Sequence, residues 1–201
     1  LPVMFWIHGG GNTIGSAEGY NGAELATRHN VIVVTINYRL GPFGWFNHPA
    51  LATGSPLDDS GNFGTLDIIR ALEWTRDNVA AFGGDPSKVI ISGQSAGAGS
   101  VAQQIFSPRS RGLFRGAVML SACNYTGANT PLAEAEATGL EIQKALEASN
   151  LDDMRQVPAD RILAIQNEVQ LGRTVAGIRT SGVIDGYFMP DTKAAILAAG
   201  G

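Results

Sequence analysis

Residues 88–99 restrict the fold of this chain more than any other stretch. The apolar run Val89-Ile90-Ile91 leads through Ser92 into Gly93-Gln94-Ser95-Ala96-Gly97, and only small residues follow through Ser100. The β-branched run suits a buried strand, and the small residues suit a helix that starts at once and packs closely on it. A serine at the tip of so sharp a strand-to-helix turn takes a strained backbone conformation, so the positions two before and two after must lack bulk. Gly93 and Gly97 meet that need. Such a nucleophile elbow exposes the Ser95 hydroxyl and aims the Ala96 N–H toward the same point. The Gly-x-Ser-x-Gly pattern alone is a weak signal in a chain with 26 glycines among 201 residues, so its surroundings must carry the reading.

The length suffices for one domain with a sizeable core. The chain opens in mid-strand at Leu1 and closes on Ala-Ala-Gly-Gly, which leads to the expectation that it is an internal piece, a single partial domain over residues 1–201. A net charge of −4 without a basic stripe argues against nucleic acid or an anionic membrane surface. A neutral small molecule fits better. The lone Cys123 excludes an internal disulfide and a multi-cysteine zinc site, and reads as a buried structural thiol. No apolar run approaches the ~20 residues of a membrane span, and residues 1–7 are too short and lack the cationic flank of a signal peptide. No metal or cofactor site is expected, and the compartment stays open.

Val3–Ile7 is a continuous apolar run that empties into His8-Gly9-Gly10-Gly11. Three consecutive glycines let backbone N–H groups approach a ligand unobstructed, which an ester-cleaving serine requires where its carbonyl oxygen becomes negative. Gly10 and Gly11 are the candidate donors; a flexible turn is the alternative. Residues 20–30 read as a short helix, and 31–36 as a strand apolar on both faces, hence parallel and covered. Residues 37–46 form an aromatic loop with no regular element, and 51–61 an exposed linker. Residues 66–82 carry a helical period through Ile68, Leu72, Thr75, Val79 and Phe82, with Thr65 as cap and Asp67 complementing the first turn. Gly116–Leu120 is a fourth strand. From Thr130 the texture becomes Ala-rich, with helices over 131–149 and 158–171, each opened by a proline at its first position. Residues 183–190 contain an Asp-Gly turn, and Asp191 starts a last helix through 199. The alternation of strands and helices predicts an α/β architecture: a mostly parallel sheet over residues 1–120 with helices on both faces, then a helical segment over 121–201.

Four motifs now stand in order: Trp6-Ile7-His8-Gly9-Gly10-Gly11, Asn37-Tyr38-Arg39-Leu40-Gly41-Pro42-Phe43-Gly44, Gly61-Asn62-Phe63-Gly64-Thr65-Leu66-Asp67, and Phe82-Gly83-Gly84-Asp85-Pro86 through Gly93-Gln94-Ser95-Ala96-Gly97. Together they resemble the type-B carboxylesterases, the cholinesterase-like branch of the α/β-hydrolases. The resemblance covers residues 1–120 and, more loosely, the remainder through Val183-Ile184-Asp185-Gly186. It implies an α/β-hydrolase fold, Ser95 as nucleophile, and an oxyanion hole made by the N–H groups of Gly10, Gly11 and Ala96. It further implies that the outermost strands present are 31–36 and 116–120, which exposes apolar edges. Gln94 departs from the glutamate usual in the family.

A larger departure concerns the rest of a catalytic triad. The family order is serine, then acid, then histidine, yet His8, His29 and His48 all precede Ser95. His8 belongs to the oxyanion loop and suits a structural hydrogen bond; His29 and His48 look like surface or loop residues. Asp185 sits in a turn at a position that is non-catalytic in the family. The expectation is therefore a nucleophile half, with the N-terminal strands and the acid- and histidine-bearing half outside these residues, and little activity when isolated. A dinucleotide site at Gly97-Ala98-Gly99-Ser100-Val101-Ala102 fails, because no acidic residue occurs between Asp85 and Glu134. A non-catalytic binding relative and an acyltransferase on the same machinery remain the other readings. For the substrate, Phe43, Trp45 and Phe46 suggest an apolar acyl or alcohol group.

Overall fold

The computed structural model describes residues 1–122, 129–170 and 182–200. Cys123 lies outside them. Four strands, β1 (Val3–Ile7), β2 (Ile32–Thr35), β3 (Val89–Gln94) and β4 (Gly116–Leu120), form one wholly parallel sheet in the order β2-β1-β3-β4. Val3 pairs with both Ile32 and Val89, and Ile90 pairs with Gly116. Parallel neighbours require crossovers, and each one here contains a helix. These are α1 (Ala23–His29) between β1 and β2, α4 (Phe63–Asn78) between β2 and β3, and α5 (Ala96–Phe106) between β3 and β4.

The two faces are covered as the alternation of strand side chains dictates. Val3, Phe5, Ile7, Val89 and Ile91 point into the main core with Ile68 and Leu72 of α4 and Val101 of α5. Gly22, beside α1, closes on Val33 across the opposite face, where an added Cβ would lie 2.5 Å from a Val33 methyl. Among the described residues β2 and β4 are the sheet edges, and Val118 and Leu120 stay 45% and 44% exposed.

Several expectations need correction. The long helix begins at Phe63, not after Thr65, and continues as a 3₁₀ turn over Val79–Phe82. Thr65 is buried inside it and accepts a hydrogen bond from the Trp45 indole at 3.1 Å, so it cannot cap. Asp67 sits in the second turn and binds Arg39 through its backbone N–H and both arms of its guanidinium at 2.7–2.9 Å. Phe82 lies off the apolar face, 63% exposed, because the 3₁₀ turn changes the helical period after Asn78. The aromatic loop holds one helical turn, α2 (Gly41–Gly44). The linker contains α3 (Pro56–Asp59), and its end at Ser60 and Gly61 is buried.

Beyond the sheet, β5 (Thr130–Pro131) and β6 (Val183–Ile184) form a short parallel ladder. The Ala-rich segment supplies α6 (Leu132–Ala145), α7 (Leu151–Gln156) and α8 (Ala159–Gln170). α7 falls between the two helices expected from the sequence, and Asn150 caps it by accepting from the Asp153 N–H. Pro131 and Pro158 precede their helices instead of opening them; the Pro158 carbonyl accepts from Arg161 and Ile162. The last helix, α9 (Lys193–Ala198), is capped by Thr192, not by Asp191. α6, α7 and α8 bury a second apolar cluster around Ile142, Leu146, Met154 and Ile165. Among the described residues no helix is long and apolar enough to cross a membrane.

Candidate active site

Ser95 stands between the end of β3 and the first residue of α5, with φ 54° and ψ −122°. A non-glycine residue at positive φ outside the usual turn geometries is strained, and such strain persists only where the surroundings enforce it. Both flanks enforce it here. A Cβ at Gly93 would lie 2.5 Å from the Gly97 carbonyl, and one at Gly97 would lie 2.1 Å from the Ile7 carbonyl oxygen. The Ser95 N–H is tied to the Leu120 carbonyl of β4 at 2.9 Å, so β3, β4 and α5 together fix the turn. Ser95 itself is half-buried. Ala96 is the first residue of α5, so its N–H belongs to the helix-end donors that have no partner inside the helix.

The triple-glycine loop packs directly against this turn. A Cβ at Gly9 would lie 2.7 Å from the Gln94 carbonyl oxygen and 3.2 Å from the Ser95 Cβ. Two carbonyls of the loop are held by neighbouring residues. His8 Nδ1 lies 2.8 Å from the Gly9 oxygen, and the Gly10 oxygen accepts from Thr13 and Ile14 at 3.1 and 3.0 Å. In a trans peptide N–H and C=O point in opposite directions. The Gly10 and Gly11 N–H groups are thereby turned away from those anchors.

His8 is buried and stacks on Tyr38, with ring centroids 4.5 Å apart. A carbonyl can only accept, so Nδ1 carries a proton, and the buried Nε2 has no hydrogen-bond partner among the described residues. The Tyr38 hydroxyl donates to the His8 carbonyl at 2.7 Å, and burial holds the phenol well above its ordinary pKa, with the nearby Tyr20 adding to the effect. The Gly41 N–H donates to the Asn12 oxygen at 2.7 Å and so joins the aromatic loop to the glycine loop. Sequence reasoning missed this support by Tyr38 and Gly41; the Gly-Pro pair at 41–42 was its only local signal.

The other titratable candidates stand elsewhere. His29 is exposed at the end of α1. His48, read from sequence as a surface or loop residue, is buried: its Nδ1 accepts from Ala50 N–H at 3.1 Å and its Nε2 donates to Gln143 at 2.7 Å. Asp185 is a structural hub. One carboxylate oxygen accepts from the N–H groups of Tyr187, Phe188 and Met189, and the other accepts from Ser60 Oγ and from Asn62 Nδ2 at 2.9 Å. The aromatics divide. Trp45 is core, whereas Phe43 and Phe46 line an apolar cavity of ≈ 320 Å³ with residues of α6, α7 and α8. Among the described residues no cluster of three or more His, Cys, Asp or Glu could hold a metal ion.

The family model described as Carboxylesterase family matches residues 1–200. The chain belongs to the carboxylesterase family. It is 40% identical over 203 residues to a cocaine esterase of Oryctolagus cuniculus, covering 98% of this chain and 36% of that protein. To a fumonisin B1 esterase of Sphingopyxis macrogoltabida it is 38% identical, covering 94% and 34%. A para-nitrobenzyl esterase of Bacillus subtilis (strain 168) is 38% identical over 85% of this chain and 34% of its own length. The chain thus spans about a third of the length of these curated relatives. A solved PNB esterase structure superposes over 100% of this chain and 43% of its own, with TM-score 0.85 and 33% identity. The α/β fold is that of these α/β-hydrolase structures, with its parallel sheet and flanking helices.

Proposed function

We propose that this chain supplies the nucleophile and the oxyanion-stabilising groups of a serine-type carboxylic ester hydrolase acting on a small neutral ester. The observation that carries the reading is Ser95 held at φ 54° with the Gly9 backbone packed against it. Ser95 Oγ attacks the ester carbonyl, and the negative charge on the tetrahedral oxygen is met by the N–H groups of Gly10, Gly11 and Ala96. The alcohol leaves, and water releases the acid from the acyl-enzyme.

None of His8, His29 and His48 serves as base: His8 is buried under Tyr38 with its Nδ1 on the Gly9 carbonyl, both ring nitrogens of His48 are bonded, and His29 lies out on α1. The base and its acid come from polypeptide beyond these residues. Without them the 201-residue chain is expected to turn over at least ~10⁴-fold more slowly than a protein holding the full triad.

The test compares a full-length protein carrying this sequence with its Ser95→Ala variant on a chromogenic short-chain ester, alongside labelling by an organophosphonate. Turnover and labelling at Ser95, both lost in the variant, support the reading. A folded protein that neither labels nor turns over leaves a binding role instead, and product formed only in the presence of an alcohol acceptor marks an acyltransferase.

A further inference from the structure

The apolar cavity behind α2 lies between α2, α6, α7 and α8, and no residue of the glycine loop or the elbow is among those lining it. Its ≈ 320 Å³ is about twice the ~150 Å³ in which an apolar cavity holds benzene, so a medium alkyl chain fits. The walls are mainly apolar: Phe46, Leu146, Leu151, Met154 and Ile162. The buried part of any occupant must therefore be apolar. Among the described residues Arg155 is the one ionised side chain of the lining, and it is 62% exposed, so it marks the solvent side. Its guanidinium gives one N–H to Asp152 at 2.6 Å, which leaves donors for a second anion.

Two walls of this cavity reach the glycine loop. α2 does so through the Gly41 N–H on Asn12. α8 does so through the buried Gln166, whose Nε2 is 3.5 Å from the Thr13 carbonyl. The Gln166 Oε1 lies where a Cβ at Gly41 would be 1.8 Å away, and it has no hydrogen-bond partner among the described residues. An occupant pressing on α2 and α8 therefore presses on two of the elements that hold the loop.

We propose that this cavity is a non-catalytic binding site for a small amphiphile with an apolar tail and a single carboxylate, and that its occupation alters the loop carrying Gly10 and Gly11. Acids of this form are what ester hydrolysis releases. Binding itself is independent of the esterase reading; the effect on the loop rests on it.

The test titrates the full chain carrying Ser95→Ala with decanoate, followed by calorimetry and by the methyl NMR signals of Met154 and Ile162. Both signals are expected to shift. Arg155→Gln should weaken decanoate about tenfold while leaving 1-decanol almost unaffected. Ala159→Trp, which plugs an exposed position of the lining, should remove binding of both. Methyl signals that do not respond, or an affinity that Ala159→Trp leaves intact in a natively folded variant, overturn the site, and equal affinities for decanoate and decanol in the parent overturn the carboxylate. In the chain that retains Ser95, saturation with decanoate should change the rate of organophosphonate labelling at least about twofold, and Ala159→Trp should abolish that change. An unchanged rate with decanoate bound overturns the link to the loop. Failure of Ser95 to label at all counts against the esterase reading and leaves the binding result standing.

Discussion

Ser95 keeps its strained backbone because its neighbours leave no other path, and that makes two substitutions informative. Glycine ordinarily costs stability relative to alanine, but at φ 54° the order should invert. Ser95→Gly is expected to be about 1 kcal/mol more stable than Ser95→Ala in urea unfolding, with both unlabelled by phosphonate. Gly97→Ala sets a methyl group 2.1 Å from the Ile7 carbonyl oxygen, a backbone atom that cannot rotate away, and should lose about 3 kcal/mol together with Ser95 labelling. Tyr38 adds a pH dependence. The folded chain holds the phenol proton more tightly than the unfolded chain does, so its contribution to stability is full below pH about 10 and is lost as the pH rises toward the folded value. Unfolding free energies of wild type and Tyr38→Phe between pH 8 and 11 should differ in slope only above that point.

Between elements, short polar connections do what the apolar core cannot, because they fix register as well as proximity. Arg39 and Asp67 join the aromatic loop to α4, and the Asp185 hub joins β6 and the turn after it to the start of α4 through Ser60 and Asn62. Asn62 also exchanges two hydrogen bonds with Val183, accepting its N–H at 2.8 Å and donating to its carbonyl at 3.1 Å. Asp185→Asn removes the charge that five donors converge on and should cost about 3 kcal/mol. For a chain of this size that lowers Tm by roughly 10 °C in a thermal melt. Below the transition, phosphonate labelling of Ser95 should be unchanged. A triad acid would give the opposite pattern, with lost reactivity and little loss of stability.

At the scale of the whole molecule, the sheet has two edges, and the outward face of β4 leaves Val118 and Leu120 nearly half exposed. Exposed apolar strands at an edge recruit other strands. The 201-residue chain should accordingly self-associate in sedimentation velocity, and Val118→Lys should raise the monomer fraction without lowering Tm. A mutant as associated as the parent would place the sticky surface elsewhere.

The local signals in the sequence were enough for the sharp turn at Ser95, the glycine loop and the β-branched strands, because each needs particular residue types over a few positions: glycine where a Cβ cannot fit, apolar runs where both faces are covered. The parallel sheet followed from alternation and the outermost places of β2 and β4 from the family resemblance, whereas the order of β1 and β3 between them comes from the structure. The limits of α4, the depth of His48 and the separation of Trp45 from Phe43 and Phe46 did not follow, since a helical period or an aromatic cluster looks the same whichever side meets the core. Asp185 shows the point most directly. As sequence it is an Asp-Gly turn, and its five donors come from residues 60–62 and 187–189, whose convergence on one carboxylate only the packing of β6 against the start of α4 decides. The sequence determined which residues could form the strained turn at Ser95 and the glycine loop; the tertiary structure determined that Gly9 meets Ser95, because contacts between residues some 86 positions apart depend on strand order and not on local propensity.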